Sequence, residues 1–273
     1  MPDQAPQRRA RGRPRLPPAD SSSTTVQALD RGLTLLRNLS RKGNVALTEL
    51  ALGAGMPPST AHRMLTTLQK HGFAEFNQST QEWAIGLEAF RVGSAYLNRT
   101  NLVEAARLTM RHLTEETGET ANLAIADNGD VVFLSQVETH EPIRAFFHPG
   151  TRGYMHASGI GKALLANIPR YEVEKILQVK GCPEFTPKTL VSPSALFADL
   201  EQTKSRGWSF DDEERYLGMR CVAAPIFNSF GEAIAGISVS GPTVRFPDNS
   251  IAEMGPRVRR AADEITRIMG GNI

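Results

Sequence analysis

Apolar residues recur first at helical spacing and later at alternate positions, and that switch divides the chain into two parts. Val26, Leu29, Leu33, Leu36 and Leu39 mark a first helix that ends near Lys42 and Gly43. Thr48 begins a second, short helix reaching Ala54, with Glu49 in the first turn, where the helix dipole favours an anion. After the turn Gly55-Met56-Pro57, the positions Ala61, Met64, Leu65 and Leu68 predict a third helix within Pro57 to Gly72. Pro57 and Pro58 suit its first turn, where no amide donor is needed, and Gly72 stops it. Its other face carries Ser59, Thr60, His62, Arg63, Thr66, Thr67 and Lys70, with no carboxylate. Phe73 to Phe76 and Glu82 to Ile85 flank a polar turn at Asn77 to Gln81 and read as a hairpin. Helix, turn and helix followed by a hairpin define a winged helix-turn-helix over residues 26–85, with the third helix set to enter the major groove.

Leu87 to about Thr117 keeps the helical pattern, broken at Asn101 and stopped at Gly118. Residues 86–101 read as a linker helix, because Leu87, Phe90, Val92, Tyr96 and Leu97 give it too much apolar surface for a plain spacer. Residues 102–273 then mix strands and helices. Thr120 to Ala126 and Val131 to Val137 form a hairpin around Asp127-Asn128-Gly129-Asp130. A third strand is expected near Pro142 to Phe147. Helices follow near Ser158 to Ala166, Tyr171 to Val179 and Pro193 to Arg206. Strands at Trp208 to Asp211, Cys221 to Phe227 and Ala233 to Ser240 precede a closing helix from Asn249 to Met269. This is an α+β domain, an antiparallel sheet with helices on its faces.

Charge sharpens the division. Residues 1–85 hold 11 Lys/Arg against 6 Asp/Glu, whereas residues 86–273 hold 20 against 23. The basic front end points to nucleic acid. Residues 1–25 lack the apolar content to fold alone and read as a disordered basic arm. Within it, Arg11-Gly12-Arg13-Pro14 resembles the core of an AT-hook, whose arginines reach into a narrow minor groove; the competing reading is a solvated, electrostatically sticky tail. No apolar run approaches a membrane span, and the N-terminus has no apolar signal core, so a cytoplasmic location is expected. Cys182 and Cys221 are too few for a disulfide framework and have no zinc spacing.

Candidate chemistry in the second part is sparse. Ser158-Gly159-Ile160-Gly161-Lys162 invites comparison with a phosphate loop, but His156 and Ala163 stand where that motif needs glycine and a magnesium-binding hydroxyl. The amides of Gly159 and Ile160 at a helix start can instead receive a small carboxylate, or the glycines serve packing alone. Ser238 and Ser240 lie two apart in a strand, so both hydroxyls face one side, opposite Ile237 and Val239. Gly236-Ile-Ser-Val-Ser240 misses the G-x-S-x-G elbow and lies within a strand, which excludes a serine hydrolase. Asp211-Asp212-Glu213-Glu214 suggests a metal site or paired acids, against the simpler reading of a solvated helix start.

Six stretches, in order, resemble the IclR-type bacterial transcription regulators: Val45-Ala-Leu-Thr-Glu-Leu-Ala, Ser59-Thr-Ala-His-Arg-Met-Leu, Trp83-Ala-Ile-Gly, His156-Ala-Ser-Gly-Ile-Gly-Lys-Ala, Phe210-Asp-Asp-Glu-Glu and Ile237-Ser-Val-Ser-Gly-Pro. The likeness covers the chain after the arm and leans to the branch that represses glyoxylate and acetate metabolism, or its allantoin-pathway relatives. It implies a GAF-like or profilin-like effector domain. It also implies that Gly159, Ile160, Asp211, Cys221, Ser238 and Ser240 bind a small oxoacid, with the carboxylate on amides and hydroxyls and the carbonyl end at Asp211 and Cys221. Ile160, Pro142, Ala145 and Gly153 depart from the glyoxylate-sensing pattern and put ligand size in question, with Phe146 and Phe147 close enough to compensate. His156 is expected to orient the loop rather than hold a metal.

The sequence thus predicts a homodimeric regulator, and by resemblance a homotetramer, that binds double-stranded operator DNA under control of a glyoxylate-like carboxylate. Arg63 leads the DNA contacts, with Thr48, Ser59, Thr60, His62 and Thr66 beside it and Arg11 and Arg13 on the arm. No cofactor is expected. An enzyme acting on a small oxoacid with an appended DNA-binding domain is the rival, but no nucleophile, metal cluster or cofactor loop stands at the required spacing.

Overall fold

In the computed structural model, residues 25–271 are described, and they fall into two compact units that divide between Asn98 and Arg99. The expected contacts of Arg11 and Arg13 lie outside the described residues.

In the first unit, α1 (Gln27–Lys42), α2 (Leu47–Gly53) and α3 (Pro58–Lys70) pack around Leu35, Leu39, Leu50, Ala61 and Leu65. Pro57 stands just before α3 and Pro58 in its first turn, while the chain leaves at Gly72 with φ +73°. The wing strands β2 (Ala74–Asn77) and β3 (Glu82–Ile85) pair antiparallel. Two expectations need correction. The second helix starts at Leu47 rather than Thr48, because Val45–Ala46 (β1) is drawn into the wing sheet by pairing Val45 with Trp83. The predicted stripe of α1 also splits: Leu39 is buried with Leu35, whereas Val26, Leu29 and Leu33 face outward. α4 (Leu87–Thr100) follows, with Leu87, Phe90 and Val92 exposed.

The second unit opens with α5 (Leu102–Thr117), entered through Asn101 in the left-handed region at φ 50° and ended by Gly118 at φ 72°. A six-stranded antiparallel sheet follows in the order β6-β5-β4-β9-β8-β7. Its strands are β4 (Thr120–Asp127), β5 (Asp130–Val137), β6 (Arg152–Tyr154), β7 (Ser209–Asp212), β8 (Met219–Phe227) and β9 (Ala233–Pro242). Alternation sorts the faces. Leu123, Val222, Ala224, Ile237 and Val239 pack under α5 and the closing helix α9 (Asp248–Ile268). On the opposite face Ala124, Val131 and Ala223 meet α6 (Gly159–Leu165), backed by α7 (Arg170–Lys180) and α8 (Pro193–Arg206).

The expected strand at Pro142 to Phe147 does not form; the third strand is β6. The Gln136 side chain takes the place of a backbone ladder, its Nε2 donating to Ala145 O at 3.2 Å and its Oε1 accepting from Phe147 N at 3.3 Å. Phe147 turns inward onto Phe133, the rings parallel and 4.4 Å apart. The acidic run is likewise no helix start: Asp211 and Asp212 end β7, and residues 213–218 form the turn into β8.

Candidate functional site

The outward face of α3 presents Ser59, His62, Arg63, Thr66, Thr67 and Lys70 to solvent, and Thr60 is partly covered. Thr66 and Thr67 donate their hydroxyls to the carbonyls of His62 and Arg63, each at 2.9 Å, which leaves both oxygens as outward acceptors. His62 meets Trp83 edge-on at 6.2 Å, tying the helix to the wing. Arg63 and Thr60 border an apolar groove against Leu29 and Leu33 of α1. Thr48 is exposed on α2. Exposed donors free of carboxylates are the surface needed against phosphates and base edges.

In the second unit the structure places Gly159, Ile160, Asp211, Cys221, Ser238 and Ser240 around one cavity. Ser238 and Ser240 project from β9 toward α6, and Cys221 pairs with both Asp211 and Ser240 across the sheet. Gly159 is required by that closeness: a Cβ there would stand 2.7 Å from Cys221 Sγ and 3.3 Å from Ala223 Cβ. Of the departures from the glyoxylate-sensing pattern, Gly153 and Ile160 line the cavity, whereas Ala145 is buried outside the lining; Phe147 lines it, but the exposed Phe146 does not.

Several residues were missed by the sequence reading. Asn122 Nδ2 donates to Ser240 Oγ at 3.2 Å and to Ser238 Oγ at 3.4 Å, and its Oδ1 accepts from Gln136 Nε2 at 3.0 Å. The serine floor is thereby fixed. Lys162 is fully buried and pairs with Glu214 at 2.5 Å and Asp199 at 3.1 Å, while also donating to Phe210 O. An inward lysine in the apolar run Ile160 to Leu165 was the one sequence signal for this cluster. His156 is buried, its Nε2 3.1 Å from Pro183 O.

Burial controls the ionisation of these groups. It pushes the Asp211 carboxyl up to about 6, although Lys162 and the Glu214 amide pull the other way. Glu214 is pushed up to about 7 by burial, against the pull of Lys162. Burial alone would lower the Lys162 ammonium, but Glu214, Asp199 and Asp211 outweigh it and hold the pKa above the ordinary value. The Cys221 thiol is pushed up to about 12 by burial and then by Asp211, so it is a neutral hydrogen-bonding group at pH 7 and not a nucleophile. Burial lowers His156, keeping the imidazole neutral. Among the described residues, no group of three or more His, Cys, Asp or Glu is arranged to hold a metal ion. No described helix is long and apolar enough to cross a membrane.

A winged helix in one unit and a polar-floored cavity in the other define a DNA-binding regulator with a small-molecule site. Residues 28–78 match the model of the IclR helix-turn-helix domain, and residues 94–267 that of the bacterial transcriptional regulator IclR C-terminal. The chain belongs to the IclR family. It is 50% identical to the HTH-type transcriptional regulator BhcR of Paracoccus denitrificans, covering 94% of each chain. It is 47% identical to the transcriptional repressor IclR of Escherichia coli, over 90% of this chain and 91% of that one. The acetate operon repressor of Salmonella typhimurium is 44% identical over 95% and 96% of the two chains. Among solved structures, the Thermotoga maritima IclR superposes with a TM-score of 0.76 at 28% identity, over 89% of this chain and 98% of that one. An IclR homolog from Microbacterium hydrocarbonoxydans complexed with 4-hydroxybenzoate has a TM-score of 0.80 at 24% identity, over 89% and 99%. The curated relatives are named as regulators or repressors of transcription, which leaves the enzyme alternative without support.

Proposed function

We propose that this regulator senses a small carboxylate in the C-terminal cavity, glyoxylate first and then pyruvate or another short oxoacid. The observation that carries this reading is a fixed floor of Ser238, Ser240 and Asn122 in a small space. The cavity is small, about 50 Å³. A two- or three-carbon acid suits that volume. The carboxylate would be held by the Ser238 and Ser240 hydroxyls and the amides of Gly159 and Ile160, with the carbonyl end at Asp211 and Cys221.

On the DNA side, Arg63 is the leading base or phosphate contact, assisted by Ser59, Thr60, His62, Thr66 and Thr48, with Arg11 and Arg13 steadying the complex. Its workplace is the cytoplasm. One winged helix spans too little DNA for strong selectivity, so two copies pair on a palindromic operator. The exposed Val26, Leu29, Leu33, Leu87, Phe90 and Val92 favour pairing through the N-terminal unit, and two such dimers join into a tetramer. The ligand acts by binding one arrangement of the assembly more tightly than another.

Gel-shift assays on the DNA next to the protein's own gene, repeated with a panel of two- and three-carbon oxoacids, test the reading. The result expected is a shift that glyoxylate alters at lower concentration than the other acids. Indifference of the complex to every acid in the panel would sink it.

A further inference from the structure

Arg215 is held with unusual care for a residue in a turn. The backbone before it is clamped: Thr186 Oγ1 donates to Glu213 O at 2.7 Å, Thr189 Oγ1 to Glu214 O at 2.6 Å, and the Glu214 amide to Asp211 Oδ1 at 2.8 Å. Its guanidinium lies 3.7 Å from the centre of the Phe185 ring, with Tyr216 and Tyr154 at 5.5 and 5.9 Å. The side chain forms part of the cavity wall. Among the described residues no carboxylate lies in ion-pair range of it, and its Nη1 is shielded from solvent without a hydrogen-bond acceptor.

The other cations nearby are committed. Arg152, also in the wall, is bound by Asp127 at 2.7 Å and Asp130 at 3.0 Å. Lys162 is engaged by Glu214 and Asp199. Lys162 thus faces Glu214, Asp199 and, through its charge, the cavity-lining Asp211, an excess of carboxyl groups that opposes an entering anion. A stacked guanidinium in the cavity wall that no carboxylate neutralises offsets that bias, and its planar fork matches a carboxylate.

We propose that Arg215 is the charge-recognition residue of this cavity, taking one carboxylate oxygen of the ligand and making the site select short monocarboxylates over neutral molecules of similar size. The second oxygen remains available to the serine hydroxyls. This inference rests on the reading of the cavity as a small-carboxylate site.

The test is isothermal titration of glyoxylate into the full-length protein and its Arg215→Gln and Arg215→Lys variants, with thermal unfolding to verify that all three are folded. Arg215→Gln is expected to weaken binding at least about tenfold, and Arg215→Lys to recover part of the loss because it restores the charge without the planar fork. Glyoxylate affinity unchanged in Arg215→Gln, or lost equally in both variants, would overturn the assignment while leaving the carboxylate reading in place. A folded wild type that binds neither glyoxylate nor pyruvate would remove that reading and Arg215's role with it. Because the wild type still binds in the first case and not in the second, the two failures are distinguishable.

Discussion

The polar groups of α3 and those of the cavity are organised in opposite ways. On α3, Ser59, His62, Arg63 and Thr66 stand in solvent above an apolar core, and the hydroxyl bonds there run back to the helix itself. In the cavity wall and behind it, Asn122, Lys162, Asp211, Glu214, Ser238 and Ser240 are buried and form two networks, Asn122 with both serines and Glu214 with Lys162 and Asp211, drawn from three strands, a helix and the turn after β7. The first surface can be edited with little consequence for folding. In the second, the polar atoms around the cavity also carry stability, because each buried partner left alone has a desolvation cost.

Substitutions can break or sharpen this contrast. The largest effect is expected from Lys162→Met, which removes the cation shared by Glu214 and Asp199 and should destabilise the C-terminal unit by about 3–5 kcal/mol in urea unfolding. An unchanged midpoint would show that the acids simply take up protons at no cost. Next comes Arg63→Ala, expected to weaken operator binding by about 1–3 kcal/mol while moving unfolding stability by no more than about 0.5 kcal/mol. If stability fell and DNA affinity held, α3 would not be the reading helix.

A pH series follows. Asp211 and Glu214 have folded pKa values of about 6 and 7, above unfolded values of about 3.9 and 4.3. The folded state thus binds more protons between those limits, so stability should rise as pH falls from about 8 to about 5, and be lost as pH rises again. At lower pH the gain reverses: despite partial burial, Asp130 is held low by Lys180 and Arg152, and Asp212 by Lys188 and Arg220. Asp211→Asn combined with Glu214→Gln should flatten the upper limb of that profile in thermal melts recorded across pH. The smallest effect is expected from Ser59→Ala, less than about 1 kcal/mol on operator binding in a gel-shift titration and none resolvable on folding.

The same contrast explains what the sequence could reveal. The apolar spacing of Ala61, Met64, Leu65 and Leu68 is local, so α3 and its polar face were legible; so were the break at Asn101 and the turn at Asn128 and Gly129, whose positive φ values only certain residues tolerate well. The two-residue strand at Val45 needed a partner at Trp83 to exist. The outward half of the α1 stripe has the same spacing as a core face, and nothing local separates the two. Around the cavity, Ser238 and Ser240 followed from strand alternation and their partners did not. Asn122 reaches them only through the register of β4 on β9, and Gln136 replaces a strand with side-chain bonds. Lys162, Glu214 and Arg215 draw their meaning from residues brought together by folding.

The most direct test joins the two regions. Fluorescence anisotropy of labelled operator DNA would be titrated with full-length protein, with and without glyoxylate, for the wild type and for the Ser238→Ala/Ser240→Ala double variant. Equal DNA affinity is expected for the two proteins without ligand, together with a change of about tenfold or more on adding glyoxylate to the wild type and none in the variant. A wild type indifferent to glyoxylate, or a variant that responds to it as strongly as the wild type, would contradict control of the exposed face by the buried floor.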